Sequence, residues 1–305
     1  MSDLSPSALA PITPVGIGSG RVLAGLVGRG ITESRTPWMH ECEADAQGLR
    51  MVYSLFDFND RGWSDDQLPA LLDAAQRIGF AGLNVTFPFK QAVIGLLDEL
   101  SDGARAIGAV NTVAFRDGRR IGFNTDVSGF ADAFLVGLSG VALDRVLQVG
   151  CGGAGSATAH ALLSAIGARH LVLFDTDAAR AETLRQQLAA TYGDARVSVV
   201  PCPADAAASV DGIVNATPIG MAKFPGMSIA ANAIEARHWV SEIIYFPLET
   251  ELLKTARLLG CRTLNGRGMA VGQAADAFQI FTGHAPDRSR MADSFAAYAH
   301  RNTAD

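Results

Sequence analysis

Lysine is almost missing from this 305-residue sequence: of 25 cationic side chains, only Lys90, Lys223 and Lys254 are lysine. Cysteine is scarce too. Cys42, Cys151, Cys202 and Cys261 form no CxxC pair and no histidine cluster at metal-ligand spacing, which argues against a disulfide framework and against a metal site. Charged residues are only 18% of the chain, with no basic block and a formal net charge of −6, so neither nucleic acid nor an anionic membrane is an expected partner. No apolar run approaches the ~18 residues of a membrane span. Residues 1–20 lack the basic and apolar regions of a signal peptide and read as a flexible tail, with the cytoplasm as the expected compartment. What is plentiful is apolar side chains, at 49%, and glycine, at 32 residues; that composition excludes disorder, collagen and coiled coil. The length allows two domains, each with its own core.

The order of apolar runs and turns predicts an α/β protein. Val22 to Gly28 reads as a strand, Pro37 opens a helix, Val52 to Phe56 is a strand, Gln67 to Ile78 a helix, Gly82 to Thr86 a strand, and a helix follows Pro88. Such alternation implies a mostly parallel sheet covered by helices. Val110 to Phe115 and Arg120 to Phe123, joined by Arg116-Asp-Gly118, carry a hairpin signature and predict an antiparallel edge. A second alternating series begins with Val146 to Val149 and continues through a helix at Ser156 to Ile166 and stretches at His170 to Phe174, Val197 to Val200, Gly212 to Asn215, Trp239 to Ile244 and Thr250 to Leu259. The expected organisation is thus a tail (1–20), a mixed α/β domain (21–126, completed by C-terminal helices at 270–300) and a Rossmann-like doubly wound domain (127–269), which the motifs below mark as the substrate and dinucleotide-binding domains respectively.

Gly150-Cys-Gly-Gly-Ala-Gly155 lies between a predicted strand and a predicted helix, and Asp175 ends the next strand 20 positions after Gly155. Glycines there let backbone approach a pyrophosphate at the helix N-terminus, and a carboxylate at the Asp175 position accepts hydrogen bonds from ribose hydroxyls. A tight turn with a surface aspartate is the plain alternative. Asp175 would repel a 2′-phosphate and Thr176 follows it, so NAD is expected over NADP; Arg180 is either a neighbour of the cofactor or a surface arginine of the next helix.

In a chain that uses arginine for most positive charge, Lys90 stands out after Asn84-Val-Thr-Phe-Pro-Phe89, at an apolar strand-to-helix turn. Desolvated lysine, unlike arginine, can move a proton; the alternative is a lysine snorkelling into water at a helix start. Ser34, Thr36, Thr86, Asn111 and Asn124-Thr-Asp126 occupy similar strand-end positions, where ligands of α/β proteins bind. Each could equally cap a helix or close a turn, and only their coincidence favours a site.

Together, Ser34-Arg-Thr-Pro-Trp-Met-His40, Asn84 to Lys90, Gly108-Ala-Val-Asn-Thr112, Asn124-Thr-Asp126, Asn215-Ala-Thr-Pro218-Ile-Gly220 and Gly268-Met-Ala-Val-Gly-Gln273 resemble the shikimate dehydrogenase family in order and spacing. Ser-x-Thr in place of Ser-x-Ser, with Asp175 where NADP-dependent members carry Asn-Arg-Thr, resembles the NAD-preferring quinate/shikimate branch. The resemblance implies NAD-dependent, reversible oxidation of the C3 hydroxyl of a hydroxylated cyclic carboxylate. It implies Lys90 and Asp126 as catalytic residues. Ser34, Thr36 and Tyr245 would hold the substrate carboxylate, and Thr86, Asn111, Asp126 and Gln273 the ring hydroxyls. Gly150, Gly152, Gly153, Ala154, Gly155, Asp175 and Arg180 would face the dinucleotide, Thr217, Pro218 and Met221 would lie along it, and Ile243 and Gly266 would line the nicotinamide. A homodimer is compatible with the sequence. An aminoshikimate dehydrogenase would share these residues, and a non-catalytic NAD sensor on the same scaffold is the alternative from another class, disfavoured by the retention of Lys90 and Asp126. A folate-linked dehydrogenase of similar two-domain shape is disfavoured by the Ser34/Thr36 segment and Gln273.

Overall fold

The computed structural model describes residues 21–301, so the expected tail at 1–20 lies outside the described residues. The chain divides into two compact units, Met1–Thr125 with Gln273–Asp305, and Asp126–Gly272.

The first unit is built on a six-stranded mixed sheet. Its strands are β1 (Arg21–Gly28), β2 (Arg50–Asp57), β3 (Gly82–Val85), β4 (Glu99–Leu100), β5 (Thr112–Arg116) and β6 (Arg119–Phe123), in the order β2-β1-β3-β5-β6-β4. β1 runs parallel to β2 and β3, while β5 is antiparallel to both β3 and β6. The antiparallel edge follows from Asp117 and Gly118, whose φ values of 49° and 77° fit the two-residue turn that matches strand twist. Helix α1 spans Thr36–Ala46, α2 Leu68–Ile78, α3 Phe89–Ala92 and α4 Asp102–Ile107. In α2, Leu68, Leu71, Leu72 and Ala75 recur at helical spacing and are buried with Leu83, Val85 and Val113 on one face of the sheet. Ala24, Leu26 and Tyr53 pack on the other face with Phe278 and Phe281. The last helix of the chain, Arg288–Arg301, is fastened to α1 by Arg290, whose Nε lies 2.6 Å from the fully buried Glu43 carboxylate.

The second unit holds six parallel strands: β7 (Arg145–Val149), β8 (His170–Phe174), β9 (Val197–Val199), β10 (Gly212–Asn215), β11 (Trp239–Glu242) and β12 (Arg262–Leu264). Their order, β12-β11-β10-β7-β8-β9, reverses between β7 and β10, which is the switch point at which doubly wound sheets bind ligands. Helices α5 (Asp126–Gly137), α6 (Gly153–Ala161), α7 (Ala178–Tyr192), α8 (Pro203–Ala207) and α9 (Glu251–Leu258) connect the strands, and separate apolar clusters line the two sheet faces. The expected helix at Ser156–Ile166 differs in detail. It starts at Gly153, with Gly152 as its N-cap, and its last turn, Leu162–Ile166, is π-helical before Gly167 ends it at φ 85°. The next helix, α10, begins at Arg267 rather than Ala270 and runs to Thr282, so it starts in the second unit and ends in the first.

Candidate active site

The glycine turn after β7 is shaped by two close approaches. Gly150 has φ 104°, and a side chain there would meet the Ala216 carbonyl at 2.7 Å; at Gly155 a Cβ would meet the Gly150 carbonyl at 2.2 Å. These glycines let α6 start tightly against β7, and the buried Gln148 amide locks the turn by donating to the carbonyls of Gly150 (2.9 Å) and Gly155 (2.8 Å). Gly152 differs: it is exposed, its φ of −73° suits any residue, and a Cβ would meet nothing within 4 Å. The protein itself does not need a glycine there, but a phosphate approaching the α6 N-terminus beside Gly153 and Ala154 does. The residues present therefore fit a dinucleotide.

Asp175 directly follows β8, beside this turn. Its carboxylate accepts from Cys151 N (2.8 Å) and Asp177 N (2.9 Å), and Arg180 Nη1 lies 3.3 Å away. The structure thus brings Arg180 to Asp175, although the arginine is also on the exposed surface of α7 and paired with Asp177. Burial, reinforced by the Asp175 charge, pushes the Cys151 thiol up to about 12, so Cys151 serves through its backbone N–H and not as a nucleophile.

At the ends of β10 and β11 lies a network centred on Glu242, which the sequence did not mark, although Asn215 and Thr217 sit in a motif already noted. Glu242 is 1% exposed, and its carboxyl group accepts from Asn215 Nδ2 (3.0 and 2.9 Å), Ile244 N (3.2 Å) and Thr250 Oγ1 (3.2 Å). Asn215 Oδ1 in turn accepts from Thr217 N and Oγ1, and the Thr217 hydroxyl accepts from Ile219 N. Burial pushes the Glu242 carboxyl up to about 7 despite these donors. The network fixes the Thr217-Pro218 segment and Ile243; Gly266 donates its N–H to Ile244 O, and a Cβ on it would meet the Ile243 carbonyl at 2.0 Å. Met221 and Tyr245 lie on the same unit and are exposed, at 38% and 39%.

In the first unit, Ser34 and Thr36 stand together. Ser34 Oγ donates to Thr36 Oγ1 at 3.0 Å and accepts from Thr36 N at 3.3 Å, so Thr36 is the first residue of α1 and Arg35 its N-cap, not Thr36 itself. Thr86, just past β3, donates its N–H to Val27 O, and α3 then turns back so that Lys90 O accepts from Val110 N at 2.8 Å, next to Asn111. Lys90 is half-buried. Asn111 is 3% exposed; its Nδ2 donates to Thr125 Oγ1 at 3.0 Å, and Thr125 Oγ1 donates to Gln273 O at 3.0 Å, which brings the expected Asn111 and Gln273 into one chain of contacts. Beneath them, Tyr53 Oη donates to Asn84 Oδ1 at 2.7 Å and Asn84 Nδ2 donates to Thr112 Oγ1 at 2.9 Å. Thr125 and Asn84 sit inside the motifs already noted; Tyr53 and Glu242 carry no local signal. Asp126 opens α5 and is buried, so Lys90 belongs to the first unit and Asp126 to the second. Among the described residues no group of three or more His, Cys, Asp or Glu is placed to hold a metal, and no helix is long and apolar enough to cross a membrane.

Comparison with known proteins bears on this arrangement directly. Residues 26–113 match the family model of the shikimate dehydrogenase substrate binding domain, and residues 266–294 that of the shikimate 5′-dehydrogenase C-terminal domain. A shikimate dehydrogenase (NADP(+)) of Pseudarthrobacter chlorophenolicus is 51% identical over 276 residues, covering 90% of this chain and 94% of its own. A quinate/shikimate dehydrogenase (NAD(+)) of Corynebacterium glutamicum is 48% identical over 279 residues, covering 90% of this chain and 98% of its own. The solved structure of quinate dehydrogenase from Corynebacterium glutamicum in complex with NAD superposes with a TM-score of 0.86 at 47% identity, over 91% of this chain and 99% of that one.

Proposed function

The chain belongs to the shikimate dehydrogenase family of pyridine-nucleotide oxidoreductases, and from that premise we propose that it oxidises the C3 hydroxyl of quinate, shikimate or both, reversibly, with NAD as the preferred acceptor. The observation that carries the cofactor choice is Asp175: a carboxylate at the end of β8, drawn to the glycine turn by Cys151 N–H at 2.8 Å, is a ribose-hydroxyl acceptor and repels a 2′-phosphate. NADP use has one observation in its favour. Arg180 lies 3.3 Å from the same carboxylate and offsets part of its charge, and relatives of similar identity are named for either nucleotide.

In this reading the nucleotide supplies the hydride acceptor when bound. The chain's own residues do the rest. Ser34 and Thr36, already hydrogen-bonded to each other, hold the substrate carboxylate together with Tyr245. Thr86, Asn111, Asp126 and Gln273 hold ring hydroxyls, and of the two catalytic residues Lys90 and Asp126 it is Lys90 that takes the proton of the reacting hydroxyl. Neutral hydroxyl donors suit a chain of net charge −6 that must bind an anion. Mixing the purified protein with quinate or shikimate and NAD tests the reaction: reduced-nicotinamide absorbance rises in proportion to enzyme. No rise with either acid and either nucleotide would contradict the proposal.

A further inference from the structure

The segment 29–35, between β1 and α1, contains no regular element, yet it delivers Ser34 and leads into Thr36. Two hydroxyls that are to recognise a carboxylate must be held to within about half an ångström by the residues behind them. In this chain the support comes from Asp57, the last residue of β2, which is paired in register with Gly28 at the end of β1. Its carboxylate is 3% exposed. Oδ2 accepts from Ile31 N at 2.6 Å, and Oδ1 accepts from Gly30 N at 2.9 Å and Asn59 N at 2.9 Å. From Ile31 the chain of contacts continues: Ile31 O accepts from Ser34 N at 2.9 Å, and Ser34 Oγ bonds to Thr36. On the outer side, Arg29 Nε donates to Asp65 at 2.9 Å, Nη1 to Asn59 Oδ1 at 2.8 Å and Nη2 to Trp63 O at 2.9 Å, so the same segment is clamped to the stretch after β2 from both sides.

Asp57 is more than a turn cap. The Asn59 contact, two residues along, is an ordinary aspartate turn; the Gly30 and Ile31 contacts come from 27 and 26 residues earlier and do nothing for that turn. Burial alone would raise the Asp57 carboxyl, but the N–H groups of Gly30, Ile31, Asn59 and Asp60 outweigh it and keep the group below its ordinary value, hence ionised at neutral pH. We propose that Asp57 is a positioning residue for substrate recognition, fixing the backbone at Gly30–Ile31 and through the Ile31–Ser34 turn the spacing of the Ser34 and Thr36 hydroxyls. The proposal rests on the reading that these hydroxyls meet a substrate carboxylate.

Electrostatics and geometry give opposite signs here, which makes the test decisive. Loss of a buried negative charge by itself would ease the binding of an anionic substrate. Asp57→Asn keeps the volume but turns one oxygen into an amide NH₂ that cannot accept from backbone N–H. In the full-length protein, Asp57→Asn is expected to raise KM for the acid about tenfold or more, with kcat and KM for the nucleotide changed less than about threefold. With the same ring polyol lacking the carboxylate, variant and wild type should give equal kcat/KM. An equal loss on both substrates, or an unchanged or lowered KM for the acid, overturns the proposal. Amide hydrogen exchange on the wild type supplies a second readout independent of the variant's folding: Gly30 and Ile31 are expected to be protected like β1, and exchange at the rate of open loop amides would overturn the anchoring. Wild type inactive on all acids would instead refute the proposed reaction, while the exchange result would still report on Asp57.

Discussion

In the proposed reaction, Lys90 is the residue on which the chemistry turns. As the proposed acceptor of the hydroxyl proton, it would contribute to the transition state more than to substrate binding, so Lys90→Ala should lower kcat by ~10²-fold or more with little change in KM. Steady-state kinetics decides: a large rise in KM at nearly unchanged kcat would make it a binding residue. Asp175→Ala should shrink the proposed preference for NAD over NADP, read as the ratio of the two kcat/KM values, because in that reading it removes both a ribose acceptor and the repulsion of a 2′-phosphate. An unmoved ratio would show that Asp175 does not face the ribose. Residues of this kind are legible in sequence when a fixed local spacing marks them, as Gly155 and Asp175 do. Asp57 and Glu242 are not, since their meaning lies in donors brought by folding: Gly30 and Ile31 for one, Asn215 and Thr250 for the other.

Among the elements, β10 and β11 end on the buried Asn215–Glu242 pair, and this has a consequence for stability. The Glu242 carboxyl is raised to about 7 in the folded protein from an ordinary value of 4.5. Between those two values the unfolded chain has released the proton while the folded chain keeps it. The stabilising contribution is therefore full below pH 4.5 and is lost as pH rises through about 7, up to roughly 3 kcal/mol. Glu242→Gln removes that titration, so the difference in Tm between variant and wild type should shift in the variant's favour from pH 5 to pH 8. A constant difference would show that Glu242 does not titrate in that range. The elements themselves were read from sequence where a turn residue or a strict apolar period marked them, as at Asp117-Gly118 and in α2. They were missed where tertiary context decides. Helix α5 opens at Asp126 where the sequence suggested only a cap or a turn; the C-terminal helix was expected within 270–300, but not its anchoring to α1 through Arg290 and the buried Glu43.

On the scale of the whole molecule, a net charge of −6 goes with positive charge carried almost entirely by arginine, with three lysines among 25 cationic side chains. One unit presents hydroxyls, amides and Lys90 on a mixed sheet; the other presents a glycine turn, Asp175 and Asp126 on a parallel sheet. The sequence marks a second alternating series near residue 145 and expects C-terminal helices at 270–300 to complete the first unit, whereas the contacts that seat α10 against β1 and the last helix against α1 are supplied by folding. The central claim is a nucleotide-dependent oxidation of a cyclic hydroxy acid with Asp175 setting the nucleotide. Its most direct test is the matrix of kcat/KM for quinate and shikimate against NAD and NADP. The account predicts turnover of at least one acid with NAD favoured by about tenfold or more, the size of one good ribose contact against a repelled phosphate; turnover that favours NADP with both acids would contradict it.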